Sequence, residues 1–242
     1  MNVPDLSPRM EKVLSFVPQN EEVVADVGCD HAYVSIALVK RNIAKNVIAM
    51  DVRKGPLEIA KKNVDEYGLG SEVELRLSDG LTALSPREVN AIVIAGMGGL
   101  LVKKILTNGQ NILKCECPPD LILGPQSDIC EVRKYLHDIN YHIVKEAMLI
   151  DEGKYYTVIH ASYGGNEHYD NSEDYVYGRC NIEEGSDVFI SFLKKESDTY
   201  KDVLKGLKAS NSQNERTLKR IKELESLIDT NKRAYKRCLH EM

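Results

Sequence analysis

The sequence predicts an α/β fold with a mostly parallel sheet, closed by an antiparallel strand pair and followed by an antiparallel helical hairpin. Three observations predict it. Between residues 23 and 138, short apolar segments alternate with amphipathic segments of helical spacing, the pattern of a parallel sheet covered on both faces. Two strand-like segments then follow directly upon each other, joined by Asp151-Glu152-Gly153-Lys154. Beyond them, apolar positions recur at coiled-coil spacing on a Lys/Glu-rich background.

Residues 5–16 read as a short helix, because Leu6, Met10, Val13 and Leu14 fall on one face and Ser7-Pro8 suits a helix start. Residues 23–28 are a strand that ends in a glycine turn, and 32–41 a helix. A strand over 46–52 precedes a helix over 56–67 with Pro56 in its first turn. Residues 72–77 alternate as a strand. Residues 91–95 are a fully apolar strand, followed after Gly96-Met97-Gly98-Gly99 by a helix to Leu106. A strand over 120–123, a helix over 128–138, and the strand pair 141–149 and 155–163 complete the unit. This is the layout of the class I methyltransferase fold, a Rossmann-like sheet. The polar stretch 164–174 marks a boundary, which divides the chain into residues 1–164 and 165–242. The second part carries two helices, one with Phe189, Phe192, Leu193, Tyr200, Val203, Leu204 and Leu207, the other with Leu218, Ile221, Leu224, Leu227, Ile228 and Tyr235. Residues 209–214 form the turn between them. Two antiparallel helices can satisfy each other's seams within one chain, which favours a monomer.

Composition narrows the class. With 43% hydrophobic and 29% charged residues in 242, the chain is neither disordered nor membrane-embedded. Its longest nearly apolar run, 91–102, is too short to span a bilayer, and no signal peptide opens the sequence, so a cytosolic location is expected. The six cysteines are then free thiols, and Cys115-x-Cys117 lacks the second pair that a zinc site needs, so no metal is expected. The net charge of −5 hides an asymmetry: residues 194–242 hold 13 Lys/Arg against 8 Asp/Glu. A basic tail on an acidic body can hold a polyanion, although a solvated helical face has the same composition.

The chemistry-bearing residues stand at strand ends. The first strand ends in Asp26-Val27-Gly28-Cys29-Asp30-His31, where a glycine lets the backbone approach a ligand at the sheet's carboxyl edge. Asp30 and Tyr33 occupy the second and third positions of the dinucleotide fingerprint. A pyrophosphate there would meet the carboxylates of Asp26 and Asp30, whereas a ligand with an ammonium or sulfonium would be favoured. That distinction favours S-adenosylmethionine over a nicotinamide dinucleotide. Asp51, 23 residues beyond Gly28, ends the second strand and suits ribose hydroxyls in either kind of site. Ser78-Asp79-Gly80 ends the third strand, where the carboxylate can accept an adenine amine, although Asp-Gly is also a common turn. Ala95-Gly96-Met97-Gly98-Gly99 ends the fourth strand. Its three glycines in four positions suggest a backbone that passes close to something, although close strand–helix packing would also use them; the Asn/Asp-Pro-Pro-Tyr/Phe clamp of many amino-group methyltransferases is missing.

The segments Asp26-Val27-Gly28-Cys29-Asp30-His31-Ala32-Tyr33, Ala95-Gly96-Met97-Gly98-Gly99 and Leu121-Ile122-Leu123-Gly124-Pro125-Gln126 resemble the motifs of the bacterial tRNA (adenine-22-N1)-methyltransferases, the TrmK family. So does Glu146 with the later Glu152-Gly153-Lys154-Tyr155-Tyr156. The resemblance covers nearly the whole chain, hairpin included; Gly124 departs from it, standing where a larger polar residue such as Gln is expected. It implies S-adenosylmethionine as cofactor and methyl transfer to N1 of adenosine 22 in the D-arm of tRNA. It implies that Asp26, Gly28 and Asp30 surround the methionine part, that Asp51 with Val52 takes the ribose and Asp79 with Gly80 the adenine. Ala95, Gly96, Met97 and Gly98 would line the site beside the sulfonium.

For the transfer itself, Asp30 is the leading candidate to stabilise the cationic methylated base, with His31 and Tyr33 as base-positioning groups; Asp30 can equally hold the cofactor, and His31 can equally cap the helix. The 13 basic residues from Lys194 to Arg237 would hold phosphates. Three other readings stand beside this one: a methyltransferase for another RNA or a small molecule, a nicotinamide-dependent oxidoreductase, and a non-enzymatic coiled-coil module. The missing glycines argue against the oxidoreductase, and the three strand-end acids against an inactive pocket.

Overall fold

The structure is a computed structural model that describes residues 3–209 and 214–239. The predicted turn over 209–214 falls mostly outside them. The chain divides into two compact units, Met1–His168 and Tyr169–Met242.

The first unit holds a seven-stranded sheet: β1 (Glu21–Val27), β2 (Ala44–Asp51), β3 (Val73–Leu77), β4 (Ala91–Ala95), β5 (Asp120–Gly124), β6 (Tyr141–Asp151) and β7 (Lys154–Tyr163). Their order is β3-β2-β1-β4-β5-β7-β6. The first five pair in parallel; β7 pairs antiparallel with both β5 and β6. The order reverses between β1 and β4, so a crevice opens at their carboxyl ends, where sheets of this kind bind ligands. β4 is closed in on both sides, and Ala91, Ile92, Val93 and Ile94 are fully buried, the continuous apolar run of a central strand.

Helices α1 (Pro8–Leu14), α2 (Tyr33–Lys40) and α3 (Lys54–Glu66) share one apolar core with the sheet, through Val13, Ile36 and Ala60 against Val24, Val47 and Val93. Ser7 caps α1, its Oγ accepting from Met10 N at 3.4 Å, with Pro8 as the first helical residue. Helices α4 (Gly99–Asn108), α5 (Gln110–Leu113) and α6 (Ile129–Asp138) follow β4 and β5. The four-residue α5 was not expected from the sequence. β6 and β7 turn through Glu152 and Gly153, both at positive φ, the geometry of a two-residue hairpin loop whose twist matches its strands.

In the second unit a π-helical turn (Asp174–Gly178) and α7 (Arg179–Glu184) precede the long α8 (Asp187–Ala209) and α9 (Glu215–Cys238). The turn and α7 lie where the sequence read as loop and first helix. Leu193 O accepts from Asn231 Nδ2 at 3.1 Å, while Lys208 Nζ reaches Glu225 Oε1 at 2.8 Å. Early positions of α8 therefore face late positions of α9, and the pair is antiparallel. Phe189, Leu193, Leu224 and Ala234 are buried, but Val203 and Leu218, expected in the seam, are 44% exposed.

Candidate functional site

Two adjoining clefts open at the carboxyl edge of the first unit. The larger, of ≈ 360 Å³, is lined by residues at the ends of β1 (Gly28, Asp30), β2 (Asp51, Val52, Arg53), β3 (Ser78, Asp79, Gly80) and β4 (Ala95, Gly96, Met97), with Leu101 and Ile105 of α4. The smaller, of ≈ 260 Å³, shares Gly28, Asp30 and Ala95 and adds Asp26, Cys29, His31, Tyr33 and, from around α1, Leu6, Ser7 and Met10. Parallel strands carry all their ends to one edge, so acids far apart in sequence meet there. Of the residues singled out from the sequence, Gly98 lines neither cleft; it is the residue that precedes α4.

Each acid has its own environment. Asp26 is buried, and its Oδ2 accepts from Ser35 Oγ of α2 at 2.6 Å. Burial pushes its carboxyl up to about 6; the Ser35 hydrogen bond opposes this, and the nearby Asp51 adds to it. Asp51 is also buried, and its Oδ1 accepts from Arg53 N at 2.9 Å. Asp79 is exposed at the rim. Ser78 shapes the turn there: its Oγ donates to Gly80 O at 2.8 Å and accepts from Ala83 N at 3.2 Å.

The turn after β1 is tight. Gly28 has φ +76°, and Gly28 N and Cys29 N both donate to Met50 O, at 2.8 and 2.9 Å. A Cβ on Gly28 would collide with the terminal methyl of Met97. Asp30 and Ala32 both hold positive φ, and Ala32 precedes α2 without any side-chain cap. His31 therefore does not cap the helix; its carbonyl accepts from Asn63 Nδ2 at 2.8 Å. His31 Nε2 lies 3.7 Å from Asp30 Oδ1, and its ring meets Tyr33 edge-on at 6.1 Å. Asp30, His31 and Tyr33 thus form one accessible polar cluster.

Several lining residues escaped the sequence reading. Arg53, Leu101 and Ile105 have no motif of their own, and Ser35 becomes visible only when α2 packs behind β1. Glu146, part of the sequence resemblance, lies in neither cleft. It is fully buried and pairs with Arg133 of α6, whose Nε donates to Glu146 Oε1 at 2.6 Å. Gly124 is buried at the end of β5, where a Cβ would stand 3.3 Å from Ala95 Cβ and 3.6 Å from Val13 Cγ2.

In the second unit some basic residues are tied to buried acids and others line a groove. Arg233 pairs with Glu173 at 3.0 Å and also with Asp229, and Arg237 pairs with Asp174 at 2.8 Å. Glu173 and Asp174 are buried, so these arginines neutralise internal acids. Lys194, Lys201 and Lys232 instead line an open groove between α8 and α9, together with Tyr235 and Asn231. Lys194 Nζ stands 5.9 Å from the Tyr235 ring centroid.

Residues 24–233 match the family model of TrmK, tRNA (adenine(22)-N(1))-methyltransferase. The tRNA (adenine(22)-N(1))-methyltransferase of Bacillus subtilis is 32% identical over 94% of this chain and 97% of its own. Among solved structures, a putative tRNA (m1A22) methyltransferase of Streptococcus pneumoniae in complex with S-adenosyl-L-methionine superposes with a TM-score of 0.82 at 33% identity, covering 96% of this chain and 100% of that one. TrmK of M. capricolum in complex with S-adenosyl-homocysteine superposes with a TM-score of 0.83 at 25% identity, covering 96% and 99%. With its family model matched over most of its length, its sheet order and its strand-end acids, the chain belongs to the TrmK family of tRNA (adenine(22)-N(1))-methyltransferases.

Proposed function

We infer that the protein transfers a methyl group from S-adenosylmethionine to N1 of adenosine 22 in the D-arm of tRNA. The observation that carries this reading is the meeting of Asp26, Asp51 and Asp79 around one pair of clefts in a chain of this family.

The residues present fit the cofactor. Gly28 lines both clefts, and no phosphate-binding glycine pattern competes. Asp51 would accept from the ribose hydroxyls, Asp79 from the adenine amine, and Leu101 and Ile105 would cover the ring. Asp26 and Asp30, which line the smaller cleft, would face the cationic methionine part. When bound, S-adenosylmethionine supplies an electrophilic methyl on its sulfonium.

The chain's own part is positioning and electrostatics. Adenine N1 carries a lone pair at neutral pH, so the acceptor needs no base to activate it; alignment supplies much of the rate. Methylation leaves the ring cationic, and Asp30, exposed at the junction of the two clefts, would stabilise that charge. His31 and Tyr33 beside it would flank the base. Adenosine 22 would leave its stack to reach them. The hairpin would hold tRNA through its lysines, and the chain would act as a cytoplasmic monomer. Among the described residues, no helix is long and apolar enough to cross a membrane.

The deciding experiment is transfer of labelled methyl from S-adenosylmethionine to tRNA carrying adenosine or guanosine at position 22, with the product nucleoside identified. N1-methyladenosine on the first transcript alone is expected. Transfer to neither, with the cofactor still bound, would move the reading to another substrate.

A further inference from the structure

Pro125-Gln126 has no part in the cofactor cleft, yet the fold carries it to the cleft's edge. β4 and β5 run side by side, and their exits stay joined: Gly96 N donates to Gly124 O at 3.2 Å and Gln126 N donates to Met97 O at 2.9 Å. Met97 lines the larger cleft. Gln126 is exposed, and its carboxamide has no hydrogen-bond partner among the described residues. A residue whose exposed amide has donor and acceptor both unused thus has its backbone tied to Met97, which lines the cofactor cleft.

The chemistry of adenine limits what such an amide can do. N1 must stay unencumbered, because its lone pair forms the new bond. An amide set on the N1–N6 edge would occupy that lone pair. The N6–N7 edge offers one donor and one acceptor side by side, is read in this way by Asn and Gln, and leaves N1 free. Guanine presents two acceptors there, O6 and N7, one of which would face the amide oxygen. We propose that Gln126 is a specificity residue that holds the target adenine by its N6–N7 edge, so that N1 faces the methyl donor. The inference rests on the reaction proposed above.

The test uses tRNA with adenosine or 7-deazaadenosine at position 22, which exchanges N7 for a C–H. Wild-type protein should show kcat/KM about tenfold lower on the deaza transcript, the loss of one half of a bidentate contact. Gln126→Ala should be slow on both and no longer distinguish them, with unchanged affinity for S-adenosylmethionine. Gln126→Glu keeps an acceptor for N6 but cannot donate to N7, and should also lose the distinction. Equal rates of wild type on the two transcripts would overturn the proposal. So would an Ala variant that still discriminates, matches wild type on adenosine, or loses cofactor binding. Absence of transfer by wild type to the adenosine transcript would remove the reaction and this inference with it.

Discussion

The terminal methyl of Met97 occupies the place a side chain on Gly28 would need. The glycine turn after β1 and the glycine-rich loop after β4 are therefore packed against each other across the mouth of the larger cleft. Gly28→Ala acts twice. At φ +76° an L-residue costs about 1–2 kcal/mol, and the new methyl drives Met97 aside. The expected outcome is a melting temperature lower by a few degrees and weaker binding of S-adenosylmethionine. Because Met97 is flexible, Met97→Ala in the same chain should relieve the collision and leave only the backbone cost. Calorimetric titration and thermal melts of the single and double variants separate the two terms; an unaltered Gly28→Ala would refute both.

Asp26 gives the site a pH dependence. Burial holds its carboxyl up at about 6, from an ordinary 3.8, with the Ser35 hydrogen bond opposing and Asp51 assisting. The folded protein thus binds this proton more tightly than the unfolded chain. Its contribution to stability is full below the ordinary value and is lost as pH rises through about 6. A cationic ligand prefers the ionised form, so binding runs the other way. Affinity for S-adenosylmethionine should be roughly tenfold weaker at pH 5 than at pH 7, the effect of one proton displaced. Asp26→Asn keeps an acceptor for Ser35 and should flatten this profile. A profile of the same steepness in the variant would assign the titration elsewhere.

Much of this arrangement is legible in the sequence, and the reason is topological. Apolar strands announce themselves by composition, and parallel order then brings Asp26, Asp51 and Asp79 to one edge without any knowledge of packing. What depends on contacts between elements is not legible. Nothing in the sequence tells that Ser35 of α2 reaches Asp26, or that Met97 covers Gly28. Short helices fail for a different reason: α5 and the π-helical turn are too brief to show a period, and the burial of Asp174 contradicts its polar surroundings in the chain. His31 looked able to cap α2, but the positive φ of Ala32 turns the chain so that the helix starts without a side-chain cap. Glu146, which belongs to the resemblance, proves to be a partner of Arg133 in the interior.

That pair makes a stability prediction. Arg133 and Glu146 side chains are 1% and 0% exposed, so their ion pair offsets part of what both lose on leaving water. Arg133→Leu alone takes the ion pair from a buried carboxylate and should cost about 3–5 kcal/mol. Glu146→Leu in the same chain should recover most of it, because an apolar pair of similar volume needs no compensation. Urea denaturation of the single and double variants measures this. A single variant as stable as the double would mean that Glu146 draws its compensation from elsewhere.

The hairpin offers the sharpest division between architecture and binding. Truncation at Lys194 would cut α8 and remove Arg233 and Arg237, leaving Glu173 and Asp174 buried without them, so a loss of tRNA binding there would be uninformative. Lys194, Lys201 and Lys232 line the open groove beside Tyr235 and can be neutralised without disturbing those acids. Changing all three to Gln should weaken tRNA binding while S-adenosylmethionine binding stays constant. Each lost phosphate contact should lower the slope of log K against log salt by roughly 0.7–0.9, so the triple variant should lose up to about 2–3. Arg233→Ala should behave differently, lowering the melting temperature of the protein through Glu173. Fluorescence anisotropy with labelled tRNA across a salt series reads the first effect and thermal melts the second. A triple variant with wild-type affinity and slope would place the tRNA contact on another surface.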